Sequence, residues 1–420
     1  MFTSASNAVK AVKSGDTIYV HSAAATPTIL TQALTDRASE LKDVEFCHLH
    51  TGGIAPYADP MYKDNFSINS LFVGANVRHT FKQGNGSYTP MFLSEMGIAI
   101  QNKKIKVDVV FIQVSPPDQH GFCSLGTSVE NIPAALSVAR LVIAQVNKYM
   151  PRTFGDSIIH ISKINYLVEH HQELYTLENG EISDQELRIG QFIAELIPDK
   201  SCLQMGIGSI PNAVLSKLTN HKGLGLHTEM FSDGIIPLVE SGVITGEHKE
   251  HLKGKIVSTF AHGTKKLYDF LDNNPSVEMR EAPFTNDPFV IKQLSNMVAI
   301  NSAIEVDITG QVSADSIGPN IFSGVGGQID FIYGTSRSIN GKSIVALPAA
   351  TAKGHNKIVP FLKQGAGVVT TRAHVDYIVT EFGVAQLYGK TIKQRIKEMV
   401  KIAHPDFQES IEKTYYDSLK

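Results

Sequence analysis

The sequence predicts an α/β protein made of two related open domains, each built on a largely parallel sheet. Three observations lead there. Strand-like apolar runs alternate with helical patterns along the chain, as in proteins whose parallel strands are joined by helices. A length of 420 residues exceeds what one ordinary core organises. Parts of the first half also recur, in order, in the second.

Taken in order, the strand-like runs are "DTIYVHS" (16–22), "VDVVFIQVS" (107–115), "IVSTFAHG" (256–263) and "VDYIVTEFG" (375–383). The helical patterns are "IPAALSVARLVIAQVNKYM" (132–150) and "DQELRIGQFIAELI" (184–197). The recurrence begins with "DTIYVHSAAATPTILTQAL" and "KSCLQMGIGSIPNAVLSKL". Both run from apolar strand through a small-residue loop and a proline into an amphipathic helix, with Pro27 over Pro211, 184 positions apart. "HLHTGG" (48–53) and "GLHTEM" (225–230) follow at an offset of 177, which sets Glu229 over Gly52. "VDVVFIQVS" and "VDYIVTEFG" form a third pair. The expected division is residues 1–190 and 191–420, joined near the helix at 184–197.

Composition narrows the function. The chain is 42 % hydrophobic and 19 % charged, with a formal net charge of −3 and no long basic run. That excludes non-specific nucleic-acid binding and attraction to anionic membranes, and leaves small metabolites as partners. Cys47, Cys123 and Cys202 are scattered and form no CxxC pair, which fits a reducing compartment and no structural zinc. The N-terminal stretch lacks the roughly 7–15-residue apolar core of a signal peptide. No run approaches the ~18 apolar residues of a membrane span. A cytoplasmic protein is expected.

Three elements carry candidate chemistry. "GIGSIP" (206–211) follows a strand and opens a helix, where bare backbone N–H groups and the helix start favour an anion. It fails the dinucleotide fingerprint, because Pro211 occupies the third glycine position. A plain tight turn is the alternative. "FSGVGGQIDF" (322–331) groups Gly324, Gly326 and Gly327, more than a hairpin needs, so either a bulky ligand approaches closely or the backbone bulges sharply. The third is Glu229 in "GLGLHTEMFSDG" (223–234), a single carboxylate where apolar or small residues are expected. An acid there serves as base, ligand or nucleophile, against the default of an exposed loop acid. Loops 206–211 and 228–234 follow consecutive strands, so in an open α/β sheet they face one crevice. Glu381 in "TEFG" rivals Glu229, either orienting a ligand or standing at the surface. His48, His50, His170 and His171 lack metal-ligand context, and no GxSxG elbow exists.

At "GIGSIPNAVL", "GLHTEMFSDG", "FSGVGGQIDF", "VDYIVTEFGVAQLYGK" and "AHPDF" (403–407) the chain resembles the acetyl-CoA hydrolase/transferase family over nearly its whole length. It is most like the 4-hydroxybutyrate or butyryl-CoA:acetate CoA-transferases. The resemblance implies two domains of the CoA-transferase type with the active site between them. It implies ping-pong transfer of CoA from a short-chain acyl-CoA to a carboxylate such as acetate, through a glutamyl-CoA thioester on Glu229. Gln204, Met205, Gly206, Ile207, Gly208, Ile304 and Gly327 match CoA-contacting positions, with Gly324, Gly326 and Lys353 as neighbours. The loop "SAAATP" (22–27) matches the place where the family completes its oxyanion or acyl pocket, so Ala24 and Ala25 join Gly327 there. This loop lacks the glycine that relatives often carry. CoA is then a substrate, with no tightly bound cofactor or metal, and a homodimer is expected. Discharge by water, giving an acyl-CoA hydrolase, and a ligand-sensing role on the same fold are the alternatives.

Overall fold

The strand signals above fall in two large, mostly parallel sheets of the computed structural model, which describes residues 2–178, 180–206 and 208–420. The chain divides into one unit of Met1–Glu178 with Val257–Thr285 and another of Asn179–Ile256 with Asn286–Lys420. A single cut near 190 leaves 257–285 with the second half, whereas this segment folds with the first. Its backbone explains why. Val129 N–H donates to Thr259 O at 2.9 Å, Ala261 N–H to Thr127 O at 2.8 Å and Ala282 N–H to Glu130 O at 2.9 Å.

In the first unit the strands are Thr17–Val20 (β1), Val44–His48 (β2), Phe66–Ser70 (β3), Gly86–Tyr88 (β4), Val109–Val114 (β5), Leu141–Val146 (β6) and Tyr166–Glu169 (β7). They lie in the order β7-β6-β5-β1-β2-β3-β4, all neighbours parallel. Helix α1 (Thr28–Thr35) follows β1, with Pro27 at its cap position. The core gathers Ile18, Val20, Leu30, Leu34, Phe46, Phe66, Ile68, Val109, Phe111 and Ile143. β5 and β6 are buried at every position, as expected of parallel strands covered on both faces.

The stretch 132–150 is not one helix. Ile132–Val138 (α2) is helical and ends where Ala139 turns extended, after which "LVIAQV" is β6. A continuous apolar run cannot be told from a buried helix by periodicity, and its β-branched residues decide for the strand here.

In the second unit Cys202–Met205 (β8), Gly225–Phe231 (β9), Met297–Ser302 (β10), Lys342–Ala346 (β11), Tyr377–Thr380 (β12) and Gly383–Gln386 (β13) form a run ordered β13-β12-β11-β10-β8-β9. Every pairing in it is parallel except β12 with β13. Helix α3 (Asp184–Leu196) starts on a capping box, Ser183 Oγ with Glu186. Helix α4 (Ser209–Lys217) follows β8, and α5 (Gln328–Ser336) starts just after Gly327.

The two sheets share a plan. The order reverses between β1 and β5 in one and between β8 and β10 in the other, so each has a switch point where ligands collect at strand C-termini. β1 then matches β8 and β2 matches β9, as the first two sequence pairs require. The third pair fails. β5 holds the position that β10 occupies in the second unit, while the "VDYIVTEFG" strand β12 stands where β7 does. Apolar strands resemble one another too readily to fix such an assignment.

No helix among the described residues is long and apolar enough to cross a membrane.

Candidate active site

Glu229 sits within β9, two residues before its end, and is the one residue of that strand that is partly accessible. Its neighbours on both faces are buried, Thr228 and Met230 on one and His227 and Phe231 on its own. Thr228 Oγ lies 3.1 Å from Met205 N, which donates to it, and 2.8 Å from Met205 O, fastening the end of β9 to the end of β8.

Two donors hold the carboxylate. Asn286 Nδ2 donates to Glu229 Oε2 at 3.2 Å, and the Gly327 N–H also donates to the carboxylate. Asn286 is fully buried, and the same Nδ2 lies 3.5 Å from Oδ2 of the buried Asp330. Burial pushes the Glu229 carboxyl up to about 7; the Asn286 hydrogen bond opposes this, the negative charge of Asp330 adds to it, and the Gly327 N–H opposes it. A β-carbon on Gly327 would stand 2.0 Å from Glu229 Oε2 and 2.1 Å from Asn286 Nδ2. The glycine is what lets the backbone donor reach the acid. A desolvated carboxylate that ionises near neutrality, gripped by two N–H donors, is equipped for nucleophilic or proton-transfer work.

Asn286 and Asp330 were not singled out from the sequence. Asn286 precedes "DPF", a helix-start signal in which Asp287 caps Phe289 N–H at 2.8 Å. That local signal says nothing of a partner 57 residues away.

The other expected residues of this unit fall at the ends of its strands or in the loops and turns that follow them. Gln204 and Met205 end β8, beside the end of β10, and Gln204 Oε1 accepts from Asn301 Nδ2 at 3.2 Å. Gly208 has φ +116°, a conformation side chains rarely adopt, and opens α4. Gly206 lies between them, and Ile207 falls outside the described residues. Gly324, Gly326 and Gly327 lead into α5, with Gly326 at φ +57°. Ile304 follows β10, and its N–H donates to Ser313 O at 2.9 Å. Lys353 is exposed on the turn after β11, beside Gly354 at φ +77°.

Glu381 is buried rather than at the surface. Its Oε2 accepts from Ala349 N–H at 2.8 Å and its Oε1 from Gln185 Nε2 at 3.2 Å, so it anchors the segment that leads to Lys353.

In the first unit Ala24 lines a cavity of about 520 Å³ at the β1–β5 switch point, with Thr26, Gly52, Gln113 and Tyr175 among its walls. Ala25 is fully buried. His48 is fully buried with neither ring nitrogen hydrogen-bonded among the described residues, and burial lowers it to about 4. His50 falls to about 3 through burial, then the neighbouring His262 and His48. Both are neutral. Among the described residues no group of three or more His, Cys, Asp or Glu side chains is placed to hold a metal ion.

Replacing Asn286 with alanine is expected to cut turnover by about 10²–10³-fold, the usual cost of one donor to a developing oxyanion. Loss of that donor also raises the Glu229 pKa further, so the acid limb of a kcat/KM–pH profile moves to higher pH.

Two mostly parallel sheets, one of them carrying a desolvated glutamate against a glycine turn, define a two-unit α/β protein. The sequence profile of the acetyl-CoA hydrolase/transferase N-terminal domain matches residues 1–177, and that of the family's C-terminal domain matches residues 263–415. The chain belongs to the acetyl-CoA hydrolase/transferase family.

It is 49 % identical over 414 residues to the succinyl-CoA:acetate/propanoyl-CoA:succinate CoA transferase of Fasciola hepatica, covering 97 % of this chain and 86 % of that one. It is 45 % identical over 408 residues to the 4-hydroxybutyrate coenzyme A transferase of Clostridium kluyveri, covering 97 % and 95 %. The crystal structure of RipA from Yersinia pestis superposes with a TM-score of 0.95 at 32 % identity, covering 100 % of this chain and 97 % of that one.

Proposed function

We propose that this CoA-transferase moves CoA from a short-chain acyl-CoA to a carboxylate acceptor such as acetate, in a ping-pong cycle through a thioester on Glu229. The observation that carries the reading is the Glu229 carboxyl raised to about 7 between the Asn286 amide and the Gly327 N–H.

In the first half-reaction the Glu229 carboxylate attacks the acyl carbonyl, giving an acyl–glutamyl anhydride and CoA thiolate. The thiolate attacks the glutamyl carbonyl, leaving glutamyl-CoA and releasing the first acid. The acceptor carboxylate then attacks the glutamyl thioester, expelling CoA thiolate and forming a second anhydride, and the thiolate attacks the acceptor's carbonyl, giving the new acyl-CoA and freeing the Glu229 carboxylate. Both attacks on the glutamyl carbonyl place negative charge on its oxygen. Asn286 Nδ2 and the Gly327 N–H already point at that position, so they stabilise the oxyanion without rearranging. A carboxylate is a weak nucleophile in water, and removal from solvent beside the thioester is what makes it effective. The chemistry calls for no metal or redox cofactor, CoA being a substrate.

On this reading the backbone at Gln204, Met205, Gly206 and Gly208, with Ile304, Gly324, Gly326 and Lys353, receives CoA. The place of Gln204, Met205, Gly206 and Ile304 at or just after the ends of β8 and β10 supports it. Ala24 and Ala25 carry the acyl-pocket role only as the resemblance implies it; within the first unit Ala24 lines a cavity. Short-chain acids are the acceptors, in keeping with the activities for which the Fasciola and Clostridium relatives are named.

The test is to mix the protein with an acyl-CoA, trap with borohydride or hydroxylamine, and map the modified peptide by mass. Label on Glu229 is expected; label on Glu381, or none, overturns the cycle. CoA release that needs no added carboxylate would make the enzyme a hydrolase instead. The pH dependence follows with a definite sign. The attacking form is the carboxylate, so kcat/KM for the acyl-CoA rises with pH through a limb near 7 and levels above it.

A further inference from the structure

The first turn of α5 brings more to the site than the Gly327 N–H. Asp330, the third residue of the helix, is buried there, where a helix start favours negative charge. Its Oδ2 accepts from Asn286 Nδ2 at 3.5 Å, the same nitrogen that donates to Glu229 Oε2 at 3.2 Å. Gln328, the first residue, secures the turn. Its Nε2 donates to Ser302 O at 2.9 Å and its Oε1 accepts from Thr370 Oγ at 3.0 Å.

Helix packing carries Asn286 to this turn. Gly334 lies four residues beyond Asp330 on the same face of α5, and a β-carbon on it would stand 2.6 Å from Ile291 Cβ and 3.2 Å from Pro288 Cα. The short helix Pro288–Ile291 therefore lies directly against α5, which brings Asn286, two residues before it, to Asp330. Packing of this kind places the Asn286 backbone and leaves its amide to be aimed by polar partners. Two carboxylates take the amide nitrogen, and Asn286 Oδ1 has no hydrogen-bond partner among the described residues. Turned over, the amide would set its oxygen against two acids that cannot donate while ionised.

The two carboxylates are not equivalent during transfer. Glu229 carries its charge in the resting enzyme and loses it as anhydride and as thioester. Its carbonyl is then the weaker acceptor, and these are the states in which that carbonyl is attacked and needs the donor.

We propose that Asp330 is a positioning residue for the transfer, holding Asn286 Nδ2 toward the glutamyl carbonyl oxygen while Glu229 is acylated. The role rests on the proposed cycle through Glu229. The charge of Asp330 also opposes negative charge on Glu229, so removing it has two separable effects. Its field alone disfavours the oxyanion, and losing only that would speed attack on the thioester. Losing the aim of the amide slows it.

The experiment loads wild type, Asp330→Asn, Asn286→Ala and the double variant with CoA from an acyl-CoA, removes the excess, and times discharge by acetate. Asp330→Asn is expected to discharge about tenfold to a hundredfold more slowly, a smaller loss than removal of the donor itself. In the Asn286→Ala background the same change slows discharge no further, because Asp330 acts through the amide. An unchanged or faster Asp330→Asn, or an equal loss in both backgrounds, overturns the role. The kcat/KM–pH profile for the acyl-CoA adds a second readout. Other titratable groups close by in sequence are His227 and Asp233 around Glu229, and Asp287, whose carboxylate caps Phe289 N–H. The charge that acts on Glu229 is that of Asp330, so Asp330→Asn moves the limb near 7 to lower pH, and a limb that stays or rises overturns the role. Should Asp330→Asn fail to fold, Asp330→Ala is read by the same discharge assay. Wild type that takes no label on Glu229 overturns the cycle and this role together. Labelled wild type with an indifferent Asp330→Asn removes only the role.

Discussion

Glu229→Gln leaves a folded protein that has lost transfer by several orders of magnitude. Glutamine matches glutamate in shape, and its amide oxygen can take the place of Oε2 beneath Asn286. The backbone of β9 has no reason to move. An amide, however, cannot attack a thioester and be carried through an anhydride, so the covalent route closes while binding persists. Stability should respond in the opposite sense to activity. The folded-state pKa of this acid is raised from the ordinary 4.5 to about 7, so the folded protein binds the proton more tightly than the unfolded chain. The stability this contributes is present below the unfolded value and is lost as pH rises through the folded one. At about pH 8 the wild type carries a charged, desolvated carboxylate that the variant lacks. Glu229→Gln is therefore expected to unfold at a temperature at least as high as wild type there, with the gap closing toward about pH 4. The checks are acyl-transfer kinetics and thermal unfolding at several pH values. Near-normal turnover, with deamidation to glutamate excluded by mass, would remove Glu229 from the mechanism.

How much of this was legible in the sequence depends on whether a signal is local. Glu229 stood out because a lone acid interrupts an apolar strand before a turn, and the reason it is there proved to be a matter of neighbours. Gly327 was visible as part of a glycine cluster, yet its use, admitting an N–H to within reach of an acid in another element, needed coordinates. Asn286 carried no mark beyond its place before an Asp-Pro helix start, because an amide paired across 57 residues leaves no periodic trace. Glu381 looked like a rival to Glu229 by composition alone; only the Ala349 N–H on its carboxylate separates an anchor from a reagent. The fold shows the same division. Alternation of strand and helix and the first two repeats survive in the matched positions of β1 with β8 and β2 with β9. The run "LVIAQV" was absorbed into a helix, because continuous apolarity does not distinguish two fully buried elements. The return of 257–285 to the first unit is a tertiary fact, written in backbone pairs with 127–130 and not in any boundary residue.

Gly327→Ala tests the geometry rather than the chemistry, and it is expected to lower turnover by about 10²–10³-fold in a protein that still folds. The argument turns on what this glycine is for. Its backbone, φ −98° and ψ 10°, lies where other residues are tolerated, so alanine brings no conformational penalty there. The conflict is entirely with the site. The added methyl would fall 2.0 Å from Glu229 Oε2 and 2.1 Å from Asn286 Nδ2, far inside contact distance for either. Both are ends of side chains, so they can swing away without disturbing β9 or α5, which is why the fold should survive. In swinging away the carboxylate leaves the Gly327 N–H and the Asn286 amide together, losing both donors and its aim at the acyl carbonyl. The signature separates this from a general loss of stability. Unfolding temperature changes little, CoA still binds, and the Glu229 label trapped from acyl-CoA falls in step with turnover. A Gly327→Ala enzyme that turns over normally and labels fully at Glu229 would mean the acid works in some other position than the one seen here. The oxyanion role given to Asn286 and Gly327 would then have to be withdrawn.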